Sequence, residues 1–357
     1  MDPAFSFDQL QLSKRNHGLL LEALRYPITP PGMHYTLVHY DVPALDAASW
    51  QLSVGGLVEE PFELSYDELV ELPSVEATVT LECAGNGRSG ITPDMHSVQW
   101  HDEAVATAVW KGTHLGALLE RARVKSSAVE IVFSAPDRGF EDETEQSFAR
   151  SLTVQQALGG DAILAYAMNG APIPPQHGYP VRLIVPGWYG MASVKWLMSI
   201  VAVASPFRGH HQAIAYRLRQ KPEEPGEPIT RILPRALMVP PGIPTFFGRH
   251  RTIDLGGCLL EGRAWSGMGP IASVEVSADG GATWDEARVE RELDSPWAWC
   301  RWTYLWRPET VGEYELRCRA RDEAGNSQPD VATPNLGGYC NNAAQRVAVT
   351  VRARPGE

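Results

Sequence analysis

The sequence predicts two domains in series, an α+β domain followed by an antiparallel β-sandwich of immunoglobulin-like size, on three observations. The chain is 357 residues long, more than one hydrophobic core ordinarily serves. Its first two-thirds mixes helical and strand signals. Beyond a proline-rich stretch the apolar period becomes two and stays so to the C-terminus.

The elements follow in order. Ser65-Tyr66-Asp67-Glu68 has the S-x-x-E spacing of a capping box and opens a short helix that Pro73 ends. Thr78, Val79, Thr80 and Leu81 alternate and are rich in β-branched residues, which predicts a half-buried strand. Leu115, Leu118, Leu119 and Ala122 fall at i, i+3, i+4 and i+7, one apolar helix face. A further short helix, about Thr153 to Leu158, stops at Gly159-Gly160. The run PVRLIVPGW at 180–188 reads as a buried strand. Residues 219–244, with KPEEPGEP and VPPGIP, hold too much proline for a helix or central strand. The domain boundaries drawn from this are 1–232, a linker over 233–244, and 245–357. In the last segment SVEVSADGGATW points Val274 and Val276 inward and turns at Asp279-Gly280-Gly281, EYELRCRARD alternates Tyr314, Leu316, Cys318 and Ala320, and RVAVTV closes the sandwich. Trp284, Trp297, Trp299, Trp302 and Trp306 are more aromatic mass than so small a core ordinarily needs, so either they fill it or some serve an interface.

Composition narrows the function. An apolar fraction of 44% with 21% charged residues is that of a soluble globular protein, and no apolar run approaches the roughly 20 residues of a membrane span. The N-terminus MDPAFSFDQLQLSKRNHG lacks the charged-then-apolar order of a secretory leader, which points to the cytoplasm, or to the periplasm if a leader has been removed. A net charge of −12 argues against nucleic acid and anionic membrane as partners. Any small anionic substrate must then be drawn in by local cations. Five scattered cysteines without a CxxC pair suggest neither a disulfide scaffold nor a zinc, iron–sulfur or attached-haem site.

The most informative segment is 78–88, TVTLECAGNGR. A strand ends in Cys83, Gly85 and Gly87 allow backbone conformations closed to other residues, and Arg88 brings fixed positive charge. A lone cysteine at a strand end is ordinarily a small buried hydrophobe. A merely structural one requires neither the glycines nor the arginine. As a thiolate, Cys83 suits a soft or highly charged metal centre, and the metal would keep it deprotonated.

This segment resembles the molybdenum-ligand segment of the sulfite oxidase family, and the resemblance runs from about Asn16 to Val351. It is carried in order by LEALRYPITP, LECAGNGR, VQW with AVWKGTHL, LAYAMNGAPIPPQHGYPVRLIVPGWYGMASVKWL, SADGGATW, QPD and NNAAQRV. It implies a mixed α+β molybdopterin-binding domain followed by an immunoglobulin-like dimerisation domain, hence a homodimer. It makes Cys83 the thiolate ligand of molybdenum in a Mo-molybdopterin cofactor. Tyr35, Thr36, His39, Asp137, His177, Arg182, Ser193, Val194 and Lys195 match cofactor-binding positions, and Arg88, Trp100 and Tyr216 match residues of the catalytic anion pocket. The implied activity is oxygen-atom transfer with sulfite or a related sulfur compound, electrons leaving to a separate acceptor, since no haem or flavin motif is present. Two family arginines are missing, their places being taken by Leu37 and Gly337. Lys14, Arg15 and Arg346 flank the pocket segments and are the candidates to replace them. Two rival readings follow: the same cofactor with a less charged substrate such as a sulfoxide, acting as a reductase, or a non-enzymatic binding protein in which Cys83 is a buried thiol.

Overall fold

The computed structural model describes residues 7–92, 97–141 and 143–354. The alternating run forms the strand Val75–Glu82, whose inner end is buried. It pairs antiparallel with Val105–His114, which pairs with Ile163–Met168; Arg182–Ile184, buried at all three positions, joins that last strand. This sheet aims Cys83 and Arg182 at one cavity. A second sheet runs in the order Phe62–Ser65, Gln51–Gly56, Ser199–Val203, Glu130–Glu141, Thr144–Thr153. Its pairing of Gln51–Gly56 with Ser199–Val203 is parallel, which makes it mixed.

The short helices sit where the capping and spacing arguments put them. Tyr66–Glu71 and Val154–Gly159 each begin with a reciprocal capping box, at Ser65/Glu68 and Thr153/Gln156. Leu115–Ala122 buries the four residues of its predicted apolar face. Among the described residues no helix is long and apolar enough to cross a membrane.

The C-terminal segment is a two-sheet sandwich. One sheet is ordered Arg235–Met238, Cys258–Trp265, Cys300–Trp306, Arg288–Glu290; the other is ordered Ile243–Pro244, Arg251–Asp254, Gln345–Arg352, Gly312–Asp322, Ile271–Ser277, Asp285–Glu286. Part of the expected linker is thus structured: Arg235–Met238 is a fully buried edge strand on Cys258–Trp265. The prolines lie on either side of it, where no ladder hydrogen bond is lost.

The tryptophans are spent inside the chain. Trp302 and Trp306 belong to the sandwich core, whereas Trp299 and Trp265 pack into the core of the first domain. Trp299 donates its indole N–H to Pro27 O at 2.8 Å, and half-buried Trp297 donates to Asp161 Oδ2 at 2.8 Å. Their excess therefore reflects a hydrophobic junction between the two domains within one chain.

Candidate functional site

The site is built on the end of the Val75–Glu82 strand. The last ladder position, Cys83 N, donates to Ala104 O at 2.9 Å; the chain then turns tightly, with Asn86 N on Cys83 O at 2.9 Å and Arg88 N on Gly85 O at 3.0 Å. Gly87 has φ of 82°, the left-handed conformation expected of it. Gly85 corrects the expectation, because it has no such φ. A Cβ there would lie 2.5–2.7 Å from the Arg88 guanidinium, so this glycine provides space. Gly85 N–H points at Cys83 Sγ at 3.4 Å, and Trp100 directs its otherwise unpartnered indole N–H toward the same sulfur. Burial pushes the thiol pKa up, against the pull of Arg88 and Gly85 N–H. A bound metal would reverse that balance and hold the thiolate.

Cys83 opens into a cleft of about 640 Å³, counted with the open solvent at its mouth. Tyr35, His39, Asp137, His177, Arg182, Ser193, Lys195 and Tyr216 share its wall with Cys83 and Leu37, so the fold brings together segments up to 181 residues apart in sequence order (35 to 216). Arg182 donates to His177 O at 2.7 Å and Ser193 O at 3.0 Å. Lys195 Nζ donates to Leu37 O at 2.7 Å and Gln176 O at 3.0 Å. Burial pulls the Lys195 ammonium down to about 7 and pushes the Asp137 carboxyl up to about 6. Asp137 sits in a bulge between Ser134 and Arg138 of the Glu130–Glu141 strand, which turns it inward.

Other expected residues lie just behind the wall. Arg88 commits Nε to Gly337 O at 3.1 Å and Nη1 to Val98 O at 2.8 Å, and lies 5.1 Å from the centre of the Tyr339 ring. Thr36 is buried and pairs its backbone with His17. Val194 is fully buried in the core, its carbonyl accepting from Leu183 N. Lys14, Arg15 and Arg346 are exposed, and none lines the cleft.

Several site residues escaped the sequence reading. His34 lines the cleft with its ring 4.9 Å from that of His177; burial pulls the two down to about 3 and about 2, so both are neutral. Phe148, Gln176 and Trp196 also line the wall. His211, Arg150 and Tyr339 cluster around Tyr216, whose hydroxyl is 2.5 Å from His39 Nε2. No local signal marked Arg150: it shares a face with Phe148 only once the Thr144–Thr153 strand has formed.

What the cleft asks for is written in its unsatisfied atoms. His34 Nε2, Asp137 Oδ1, His177 Nε2 and Arg182 Nε are buried without a hydrogen-bond partner. Such groups are costly unless something pairs with them. A large polar ligand carrying anionic and amide-like groups would satisfy them. Among the described residues no cluster of three His, Cys, Asp or Glu could chelate a metal, so a metal at Cys83 must arrive with most of its ligands.

Comparison with known proteins decides which ligand this is. Residues 39–211 match the model of the oxidoreductase molybdopterin binding domain, and residues 250–352 match that of the Mo-co oxidoreductase dimerisation domain. Mitochondrial sulfite oxidase of Rattus norvegicus is 34% identical over 341 residues, covering 91% of this chain and 62% of that protein. The chain belongs to the sulfite oxidase family. NADH nitrate reductase 1 of Oryza sativa subsp. japonica is 32% identical over 361 residues, 92% of this chain and 39% of that protein. The chain thus spans less than two-thirds of the length of these relatives. The solved structure of the sulfane dehydrogenase SoxCD from Paracoccus pantotrophus shares the fold, with a TM-score of 0.79 at 24% identity over 99% of this chain and 94% of that one. The cofactor of the sulfite oxidase family is Mo-molybdopterin, and the cleft fits it. Cys83 lines the cavity where it would hold the metal, and Arg182, Lys195 and His177 line it where they would offer cations and donors to a phosphorylated pterin.

Proposed function

We propose that this chain is a molybdenum-dependent oxidoreductase acting on sulfite or a related sulfur compound. The observation that carries the reading is Cys83 Sγ in the wall of a cleft whose buried polar atoms lack partners. When bound, Mo-molybdopterin supplies two-electron oxygen-atom transfer. The protein's part is binding, orientation and electrostatics. Arg182 and Lys195 place positive charge at the pterin end, and their own bonds to His177 O, Ser193 O, Leu37 O and Gln176 O hold them rigid. Burial keeps Tyr216 protonated and His39 neutral, so the pair presents a neutral hydrogen-bonding hydroxyl near the metal ligand. Arg88, fixed behind Cys83, contributes positive potential at the sulfur. Electrons leave to a separate acceptor, and the chain works as a homodimer through residues beyond Pro244, a reading supported by the dimerisation-domain match over 250–352.

The test is metal and pterin analysis of the purified protein with Cys83→Ser beside it. Stoichiometric molybdenum in the wild type and loss of activity in a folded serine variant are expected, because a hydroxyl is a poor replacement for a soft thiolate. Full activity in the variant would remove Cys83 as ligand. One observation favours a rival substrate: Leu37 gives part of the wall an apolar character suited to a neutral sulfoxide, taken in the reducing direction. A panel of sulfite and sulfoxides separates the two.

A further inference from the structure

We propose that Arg150 supplies the cation that holds a sulfur oxyanion in the substrate pocket, in place of the charges that Leu37 and Gly337 do not bring. This rests on Cys83 being the molybdenum ligand.

Arg150 is 3% exposed, on the Thr144–Thr153 strand. Its guanidinium lies 5.6 Å from the centre of the Tyr216 ring, and Nη1 donates to His211 O. Nε is buried with no partner, and among the described residues no carboxylate comes within ion-pair distance. Arg235 pairs with Glu82 at 3.0 Å and Arg263 with Glu292 at 2.5 Å, whereas Arg150, like Arg88 and Arg182, is buried without a carboxylate partner among the described residues. A buried charge without a counter-charge is among the costliest things a fold can hold. One carbonyl and one aromatic face do not neutralise it. Burial pulls its pKa only to about 10, so it stays charged at neutral pH.

Its position makes the missing counter-charge a substrate. Tyr216 lines the cleft with Cys83, and its ring lies 5.4 Å from that of Tyr339, which in turn contacts Arg88. Arg88, from the turn after Cys83, and Arg150, from the Thr144–Thr153 strand, therefore reach this tyrosine pair from separate elements. Arg88 has spent Nε and Nη1 on backbone carbonyls. Arg182 and Lys195 are likewise committed to the pterin end. Arg150 is left with an unused donor and an unneutralised charge, the combination that favours an oxyanion over a neutral sulfoxide.

The experiment is equilibrium binding of sulfate to the molybdenum-loaded holoenzyme by calorimetry, for wild type, Arg150→Lys and Arg150→Gln, with molybdenum content measured in each. Removing a charge-assisted contact should weaken sulfate at least about tenfold in Arg150→Gln. Arg150→Lys should fall between the two, because an ammonium keeps the charge but lacks the planar fork. Should the glutamine variant fail to fold, the lysine variant decides, since unchanged sulfate affinity there removes Arg150 from the pocket. Wild-type affinity in a molybdenum-loaded glutamine variant overturns the proposal alone. A wild type without molybdenum overturns the reading of Cys83 and the proposal with it.

Discussion

At Cys83 a soft, buried sulfur has to face a cavity while the chain reverses, and the neighbouring residues are chosen for space as much as for charge. Gly85→Ala would drive a methyl group into the Arg88 guanidinium, which is itself pinned to Gly337 O and Val98 O. The expected result is a folded protein with reduced molybdenum retention, read by metal analysis after dialysis; full retention would show that Arg88 yields at no cost to the turn. Gly337 has a similar constraint from the other side. A Cβ there meets the Tyr339 ring at 2.2 Å, so the place of the missing family arginine is closed by Tyr339. Gly337→Arg should therefore displace that ring and lose about 1–3 kcal/mol of stability through overpacking, and the sulfite KM should rise. A lowered KM with unchanged thermal midpoint would show that the pocket has room for the charge.

At the scale of elements, the ligand-bearing strand is clamped from the second domain. Glu82, next to Cys83, accepts from Arg235 at 3.0 Å, from Trp265 at 2.8 Å and from Asn86 at 3.0 Å. Asn341 Nδ2 donates to Gly87 O at 2.6 Å, and Cys340 N donates to Ala84 O at 2.8 Å. The turn after Cys83 is held by both domains, so the sandwich helps to shape the candidate site. Arg235→Met leaves buried Glu82 short of its cationic partner, which should cost about 3–5 kcal/mol. Chemical denaturation reads the loss; a change under about 1 kcal/mol would mean that Trp265 and Asn86 suffice to satisfy the carboxylate.

The molecule as a whole carries its buried site as an acid sensitivity. In the cofactor-free protein His34, His177 and His211 are pulled from 6.5 to about 3, about 2 and about 4 by burial. Below pH 6.5 the unfolded chain binds protons that the folded chain refuses, so stability falls as pH falls until those low values are reached. Each histidine contributes at most about 1.4 kcal/mol per pH unit in that window. Asp137, raised to about 6, acts in the opposite direction between its ordinary 3.8 and that value, as do Glu82 and Glu103, which burial also raises, while His39, likewise pulled down, adds to the other histidines. The thermal midpoint of the cofactor-free protein should drop from pH 7.5 to pH 5.5, and His34→Gln should flatten the slope. A midpoint that rises toward acid pH would show the histidines to be solvated. Oligomeric state is a second whole-molecule test: a monomeric mass by light scattering at micromolar concentration would contradict the homodimer.

The sequence by itself determined the elements whose signals are local. Capping at Ser65 and Thr153, the apolar face of Leu115–Ala122, the alternation of the sandwich strands and the strand–Cys83–glycine turn all depend on residues a few positions apart. The family resemblance also named most of the cleft, because the segments carrying His177, Arg182 and Lys195 are short runs that match it. What only the tertiary structure decided depends on packing between distant segments. Arg235–Met238 becomes a strand because Cys258–Trp265 offers it an edge, and the tryptophans close a junction between domains instead of an outer surface. Arg150 and His34 enter the site through neighbours far along the chain, and an arginine's burial without a carboxylate cannot be read from the residues beside it. Local sequence fixes which way a side chain points along its element; the charge and space it meets there are set by what packs against that element.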